Sequence, residues 1–323
     1  MNEGEEPRND VRRFLIKAAL FGAPLIAFLA VMMVTDPFGR FGRSRVFPEA
    51  ARETAASAIN EQLWRVIQVE HGVGENVLVG GSKMGLLKAD AIKRLTGRDY
   101  QNLSMGGASV TEMVNLFWIA AHKSKLRDVV FGVNIETINR YVQRDRVTAA
   151  ETTAHNPLLY LSNRDVLSAM VNLTSATFLG GQLASNAPPM NREQFWRFQL
   201  TDWVSRVFSS YAFDEVAYGR LQEVSRYCAA NGIHLKILIL PSHADVHRRL
   251  RELGLEAAWH EASARFSQLG GETYDFDVDD AITANRENFR DPFHFMPAVA
   301  DQLIRKAWGV KEATAGTGTS SAQ

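Results

Sequence analysis

The chain has 323 residues, with 36 Lys or Arg against 36 Asp or Glu, so its formal net charge is zero. That balance excludes the basic footprint of a general nucleic-acid binder, and a composition of 46% hydrophobic and 22% charged residues excludes a disordered or collagen-like chain. The single Cys228 excludes an internal disulfide framework and a cysteine-based metal site, and it suits an oxidising compartment where spare thiols mispair.

The first predicted element is a membrane helix. Ala18 to Val34 carries no charge, and extending it back through Phe14, Leu15 and Ile16 across Lys17 gives about 21 residues, enough to cross a hydrocarbon core near 30 Å. The alternative is a cleaved signal peptide. Thr35-Asp36-Pro37-Phe38-Gly39 offers no Ala-x-Ala-like cleavage site, which favours a retained anchor over residues 14–35. Arg8, Arg12, Arg13 and Lys17 precede the span and Arg40, Arg43 and Arg45 follow it; the tighter basic cluster puts residues 1–13 in the cytoplasm. A linker over 36–48 would then lead to a body on the periplasmic or exterior side.

Within 49–310, short β-rich runs alternate with helical patterns. Val77 to Val79 leads into Gly80-Gly81-Ser82, Tyr100 to Leu103 into Ser104-Met105-Gly106-Gly107, and Val129 to Phe131 into Gly132-Val133-Asn134. Leu235 to Leu240 leads into Pro241-Ser242-His243, and Thr273 to Phe276 is a fifth run. Near-continuous apolar strands separated by helices predict a doubly wound, mostly parallel α/β sheet of about five strands, flavodoxin-like in its plan. The alternation stops over 140–214, which reads as a helical cap or insertion. There Trp196, Leu200, Trp203, Val204, Val207, Phe208 and Tyr211 recur at helical spacing, predicting one amphipathic helix from Phe195 to Tyr211 that packs on the core or covers a site. Residues 311–323, mostly small and polar, predict a disordered tail.

Ligands of an open parallel sheet bind outside the carboxyl ends of its strands. Those ends carry Ser82, Gly106 and Gly107, and Asn134, while Asp291-Pro292-Phe293-His294 follows the last strand. These are the residue types that acyl transfer needs. A serine hydroxyl requires a histidine to take its proton, a carboxylate to orient that histidine, and donors for the oxyanion, which a backbone N–H beside a glycine and an asparagine amide can supply. Gly81, Gly106 and His243 are expected to line the same pocket. The bland alternatives are that Ser82 caps a helix starting at Lys83, that the two glycines make only a turn, that His294 caps the last helix, and that Asn134 satisfies loop backbone.

At these residues the chain resembles the SGNH (GDSL-like) hydrolase superfamily. Its blocks are similar to Gly80-Gly81-Ser82, to Asn102 through Ser109 with Gly107 as the oxyanion glycine, to Gly132-Val133-Asn134, and to Asp291-Pro292-Phe293-His294. Position 81 is Gly and position 135 is Ile where the family usually has acids. Gly80-x-Ser82-x-Met84 also lacks the second glycine of the α/β-hydrolase elbow. With one N-terminal membrane helix, the chain resembles an anchored bacterial branch associated with O-acylation of cell-surface polysaccharides. The resemblance implies an inner-membrane, single-pass serine esterase or O-acyltransferase, acetyl being the expected group, acting on an envelope carbohydrate. Ser82, His294 and Asp291 would be catalytic, the Ser82 and Gly107 N–H groups with the Asn134 amide would form the oxyanion hole, no cofactor would be needed, and a polytopic membrane O-acyltransferase would be a partner.

Two other classes compete. The altered positions 81 and 135 suit a non-catalytic polysaccharide-binding or scaffold subunit of an envelope complex. His243, Asp245 and His247, with the histidines four residues apart, would suit a metal-dependent phosphoesterase, but they lack a recognisable third ligand at motif spacing.

Overall fold

The structure is a computed structural model that describes residues 6–42, 46–178 and 190–310, with side chains of the first helix described from Val11 onward. Arg43, Arg45, the Arg8 side chain and the predicted tail over 311–323 lie outside the described residues. The chain divides into two compact units, Met1–Gln68 with Ala149–Asn186, and Val69–Thr148 with Ala187–Gln323. The predicted insertion over 140–214 thus contributes to both units, 149–186 to the first and 140–148 with 187–214 to the second.

The first unit opens with the helix Glu6–Thr35, which contains Pro24. Its stretch Val11–Thr35 is long and apolar enough to cross a membrane. Leu20, Phe21, Leu25 and Ile26 are all exposed along it. A chain in water does not retain such a surface unless lipid or a partner covers it. The helix ends at Asp36, whose backbone is left-handed and whose carboxylate accepts hydrogen bonds from the Tyr160 hydroxyl at 3.2 Å and the Phe41 N–H at 3.0 Å. Asp tolerates that backbone region better than most residues because its short polar side chain bonds locally. Helices Pro157–Ser162 and Arg164–Phe178 complete this unit, and Asn60, non-helical inside Glu49–Glu70, donates to Asp165 at 2.7 Å.

The second unit is built on five parallel strands, β1 Asn76–Gly80, β2 Gln101–Asn102, β3 Asp128–Val133, β4 His234–Ile239 and β5 Glu272–Asp275, in the order β2-β1-β3-β4-β5. This is the flavodoxin-like doubly wound order, with its switch point between β1 and β3. Successive residues point to opposite faces, and both faces are covered. On one, Phe131 meets Phe117 of the helix Val110–Lys123 with ring centroids 5.8 Å apart. On the other, Leu78, Val130 and Leu238 share a core with Val299, Leu303 and Ile304 of the helix Pro297–Trp308. A short antiparallel hairpin, β6 Phe289–Asp291 and β7 His294–Phe295, precedes that last helix.

The single amphipathic helix expected from Phe195 to Tyr211 is interrupted. Helix Arg192–Phe198 passes through a π-turn over Gln199–Trp203 into Val204–Phe208. The extra residue of a π-turn rotates the downstream face, so the apolar stripe serves two purposes. Trp196, Val204 and Phe208 are buried, whereas Trp203 is left half-exposed.

Register places Gly80 beside Gly132 at the carboxyl ends of β1 and β3. A Cβ on Gly80 would lie 2.6 Å from Met84 Cβ, and one on Gly132 would lie 2.8 Å from Met84 Cε and 3.0 Å from Leu240 Cδ1. The two glycines make the space that Met84 fills as the chain turns away from the sheet. Gly80→Ala is expected to lower unfolding free energy by about 1–3 kcal/mol through overpacking, measured by denaturant titration of the detergent-solubilised chain; wild-type stability would refute the packing role.

Candidate active site

Ser82 stands two residues beyond β1 in a turn closed by Met84 N–H donating to the Gly81 carbonyl at 3.0 Å. It does not cap a helix: the 3-10 turn Met84–Leu86 begins from Lys83, and helix Ala89–Thr96 begins from Lys88. Its exposed hydroxyl instead lies 2.8 Å from His294 Nε2. His294 Nδ1 is 2.8 and 2.9 Å from the two oxygens of Asp291. Serine, histidine and carboxylate therefore form one unbroken chain of hydrogen bonds.

The hairpin explains how Asp291 and His294 meet. They are paired across it, and the Asp291 Oδ1 also accepts the N–H groups of Phe293 and His294 at 3.1 Å each, a local side-chain to backbone pattern typical of Asp in a turn. Asp291 is 1% exposed. Burial alone would raise its carboxyl, but the hydrogen bond and charge of His294, the Phe293 N–H and Arg290 together hold it below the ordinary carboxylate range. An ionised carboxylate against Nδ1 fixes the tautomer in which Nε2 faces the serine hydroxyl as acceptor. Pro292 at the hairpin tip accepts from the His243 N–H at 2.8 Å, which ties the hairpin to the loop after β4.

The other side of Ser82 is set by the loop after β2. Leu103 and Met105 N–H groups donate to Leu78 and Gly80 carbonyls, carrying the β1 and β2 pairing past the strand end and bringing Gly106-Gly107 toward Ser82. Gly107 has a φ of +59°, a left-handed conformation that Gly adopts without strain. Its carbonyl accepts from Arg144 at 3.2 Å and Arg146 at 3.3 Å, and Arg146 is itself held by the buried Glu112 at 2.6 Å. With the carbonyl engaged on that side, the Gly107 N–H and the Ser82 N–H meet no acceptor among the described residues. Asn134 is buried, and its side-chain nitrogen donates one hydrogen to the Leu240 carbonyl at 3.1 Å, leaving a second amide hydrogen.

Ser82, Gly81, Gly107, Asn134 and His294 line one cavity of about 520 Å³. Trp203, Tyr141, Arg144, Arg206 and Phe293 complete much of its wall. Gly106 and His243 are not part of that lining. His243 is buried against the rings of Trp196 and Phe289, and its Nδ1 accepts the Asp245 N–H at 3.0 Å as the cap of helix Ala244–Glu252. Burial first, with Arg286 nearby, outweighs Asp245 and pushes the His243 imidazole below its ordinary range. The other members of the metal reading are also committed. Asp245 accepts from Trp196 Nε1 at 2.9 Å and from Arg248 at 2.7 Å, while His247 turns Nε2 to Asp277 at 3.1 Å and Nδ1 to Asp279 at 2.7 Å. His243 and His247 thus do not present nitrogens to one shared point.

Beneath the cavity runs a polar network that sequence reasoning missed. Lys83, next to Ser82 and only 4% exposed, donates to Ser242 Oγ at 2.8 Å and pairs with Glu136 at 3.1 Å. The Ser242 N–H donates to Asp277 at 2.6 Å, and Asp277 also accepts from Trp259 Nε1 at 3.2 Å. Burial would raise Asp277, but His247, the Lys83 ammonium and the Ser242 N–H hold it low; burial would depress His247, but Asp277 and Asp279 raise it. The signal available in sequence was a lysine beside Ser82, and its partners lie more than 50 positions away in the chain.

No family model matches the chain, and no curated protein does. Solved structures give distant likenesses. A Streptococcus pneumonia protein provisionally described as a platelet activating factor is 12% identical, covering 78% of this chain and 92% of its own at a TM-score of 0.40. A Bacteroides fragilis protein provisionally described as an acylhydrolase shows 12% identity, 78% and 96% coverage and a TM-score of 0.40, and a GDSL-like lipase from Bacteroides thetaiotaomicron 12%, 77% and 98%, and 0.37.

Because the His247 imidazole is raised, its contribution to stability is full below its unfolded value near 6.5 and is lost as pH rises through the folded value. The stability gap between wild type and His247→Asn, from denaturant titrations between about pH 6 and about pH 9, is expected to narrow as pH rises. A gap that is constant or widens would contradict an ion-paired His247.

Proposed function

We propose that the chain is a serine enzyme of SGNH type that cleaves or transfers an O-acyl group, acetyl by preference, on a carbohydrate at the bacterial cell envelope. The observation that carries this reading is the 2.8 Å contact of Ser82 with a His294 already oriented by buried Asp291, beside two N–H groups with no acceptor among the described residues. A scaffold that had lost catalysis would have no need to keep this alignment.

Ser82 Oγ attacks the acyl carbonyl carbon as its proton passes to His294 Nε2. The N–H groups of Ser82 and Gly107, with the Asn134 amide, stabilise the tetrahedral oxyanion. The bond to the sugar oxygen then breaks, and His294 returns the proton to that oxygen. In the second half, water or another sugar hydroxyl attacks the acyl-serine and gives its proton to His294; the bond from the acyl carbon to Ser82 Oγ then breaks, and His294 returns the proton to Ser82. Water makes the enzyme an esterase; a hydroxyl makes it a transferase. Asp291 stays ionised throughout and stabilises the imidazolium.

The apolar helix over Val11–Thr35 supports anchoring of the chain in the bacterial inner membrane, with the basic residues before it cytoplasmic and the sheet unit on the periplasmic side. A polytopic acyltransferase that delivers acyl groups across the membrane is the partner this arrangement suits.

Purified full-length chain in detergent is expected to hydrolyse 4-nitrophenyl acetate and to be labelled by a fluorophosphonate. Ser82→Ala abolishes both, and Asp291→Asn lowers kcat by about 10³-fold or more through loss of the productive tautomer. Turnover that survives Ser82→Ala and His294→Ala would overturn the assignment.

A further inference from the structure

Around Ser82 the cavity wall carries more positive charge than the fold accounts for. Its one carboxylate, Glu136, is neutralised by Lys83 at 3.1 Å. Arg144 and Arg206 also line the wall, both are exposed, and neither has a carboxylate partner among the described residues. Among the described residues the Arg144 guanidinium bonds only the Gly107 carbonyl, and Asp202, one helical turn before Arg206, accepts from the Thr201 hydroxyl instead. The chain as a whole is neutral, so the two uncompensated guanidiniums are a local surplus at the mouth of the site.

Beside them stand aromatic surfaces. Trp203, set half-exposed by the π-turn, packs against Phe293 at 4.7 Å between ring centroids, and Tyr141 on the same cavity is 65% exposed. A guanidinium is a planar fork matched to a carboxylate, and a flat aromatic face takes the C–H face of a pyranose ring. The geometry points to an anionic glycan as the acyl carrier: a uronic-acid-type chain whose ring lies on Trp203 and whose carboxylate is held by Arg206 and Arg144 while the ester reaches Ser82. This rests on the serine-enzyme reading and adds the charge and class of its substrate.

Binding tests it without turnover. Full-length Ser82→Ala protein in detergent is titrated calorimetrically with a short O-acetylated oligogalacturonate and with the same oligomer methyl-esterified at its carboxylates. The free acid should bind on the order of tenfold more tightly, and the advantage should shrink in about 0.5 M NaCl as screening rises. Arg206→Gln in that background should bring the two dissociation constants together, and Arg206→Lys should keep part of the difference. Equal binding of the two oligomers, no binding of either, or an acid preference unmoved by both Arg206→Gln and Arg144→Gln overturns the inference. So does tighter, Arg206-dependent binding of monomeric dihexanoyl-phosphatidylglycerol, which would assign the pair to a lipid headgroup. The serine-enzyme reading fails on a different result, esterase turnover that survives Ser82→Ala, so the two failures are distinguishable.

Discussion

Everything at the site depends on the close approach of β1 to β3 at Gly80 and Gly132. Because neither residue has a Cβ, Met84 folds back over both strand ends, and the chain turns sharply enough to hold Ser82 clear of the sheet. An α/β-hydrolase elbow reaches a similar end with a glycine two residues after its serine. Here the missing glycine has moved into the neighbouring strand. The same register carries Asn134 past the end of β3 and so onto the same cavity as Ser82.

A charged layer beside Ser82 is a second commitment. Burying Lys83 and Asp277 would be strongly unfavourable for either alone, and each is stable only because its partners are in place: Glu136 and Ser242 for one, His247, Trp259 and the Ser242 N–H for the other. Such a network resists rearrangement, since moving one member strands another charge without water. It gives the floor of the cavity a rigidity that an apolar floor of similar volume would lack.

Much of the fold was legible because it rests on short-range patterns. Each of the five β-rich runs became a strand, all parallel; in the three central ones, β1, β3 and β4, residues covered on both faces are apolar almost without interruption, whereas the edge strands β2 and β5 are polar and only partly buried. The residues of the site were legible for a related reason: strand ends in such a sheet converge, so chemistry-bearing residues at those ends can be listed together before their distances are known. What stayed hidden was set by long-range packing. The π-turn at Gln199–Trp203 leaves the apolar spacing on either side looking like one helix. The hairpin that pairs Asp291 with His294 is only a few residues long, too short for a periodic signal. Lys83, Ser242 and Asp277 have nothing in their local sequence that announces a mutual contact, and His243, which sits past a strand end like the others, turned out to cap a helix inside the core.

The hairpin also divides the site in a particular way. Asp291 and His294 lie on one short ribbon, bonded to each other and to its own backbone, while Ser82, Gly107 and Asn134 lie on the loops that follow the strands of the sheet. Asp291 and His294 therefore travel as a single prefabricated part. A shift of the ribbon leaves the Asp291 to His294 geometry intact and changes the gap between His294 and Ser82. The Pro292 carbonyl, which accepts the His243 N–H at 2.8 Å, and the Phe289 carbonyl, which accepts from Arg192 at 2.9 Å, are two of the fastenings that hold the ribbon and with it that gap.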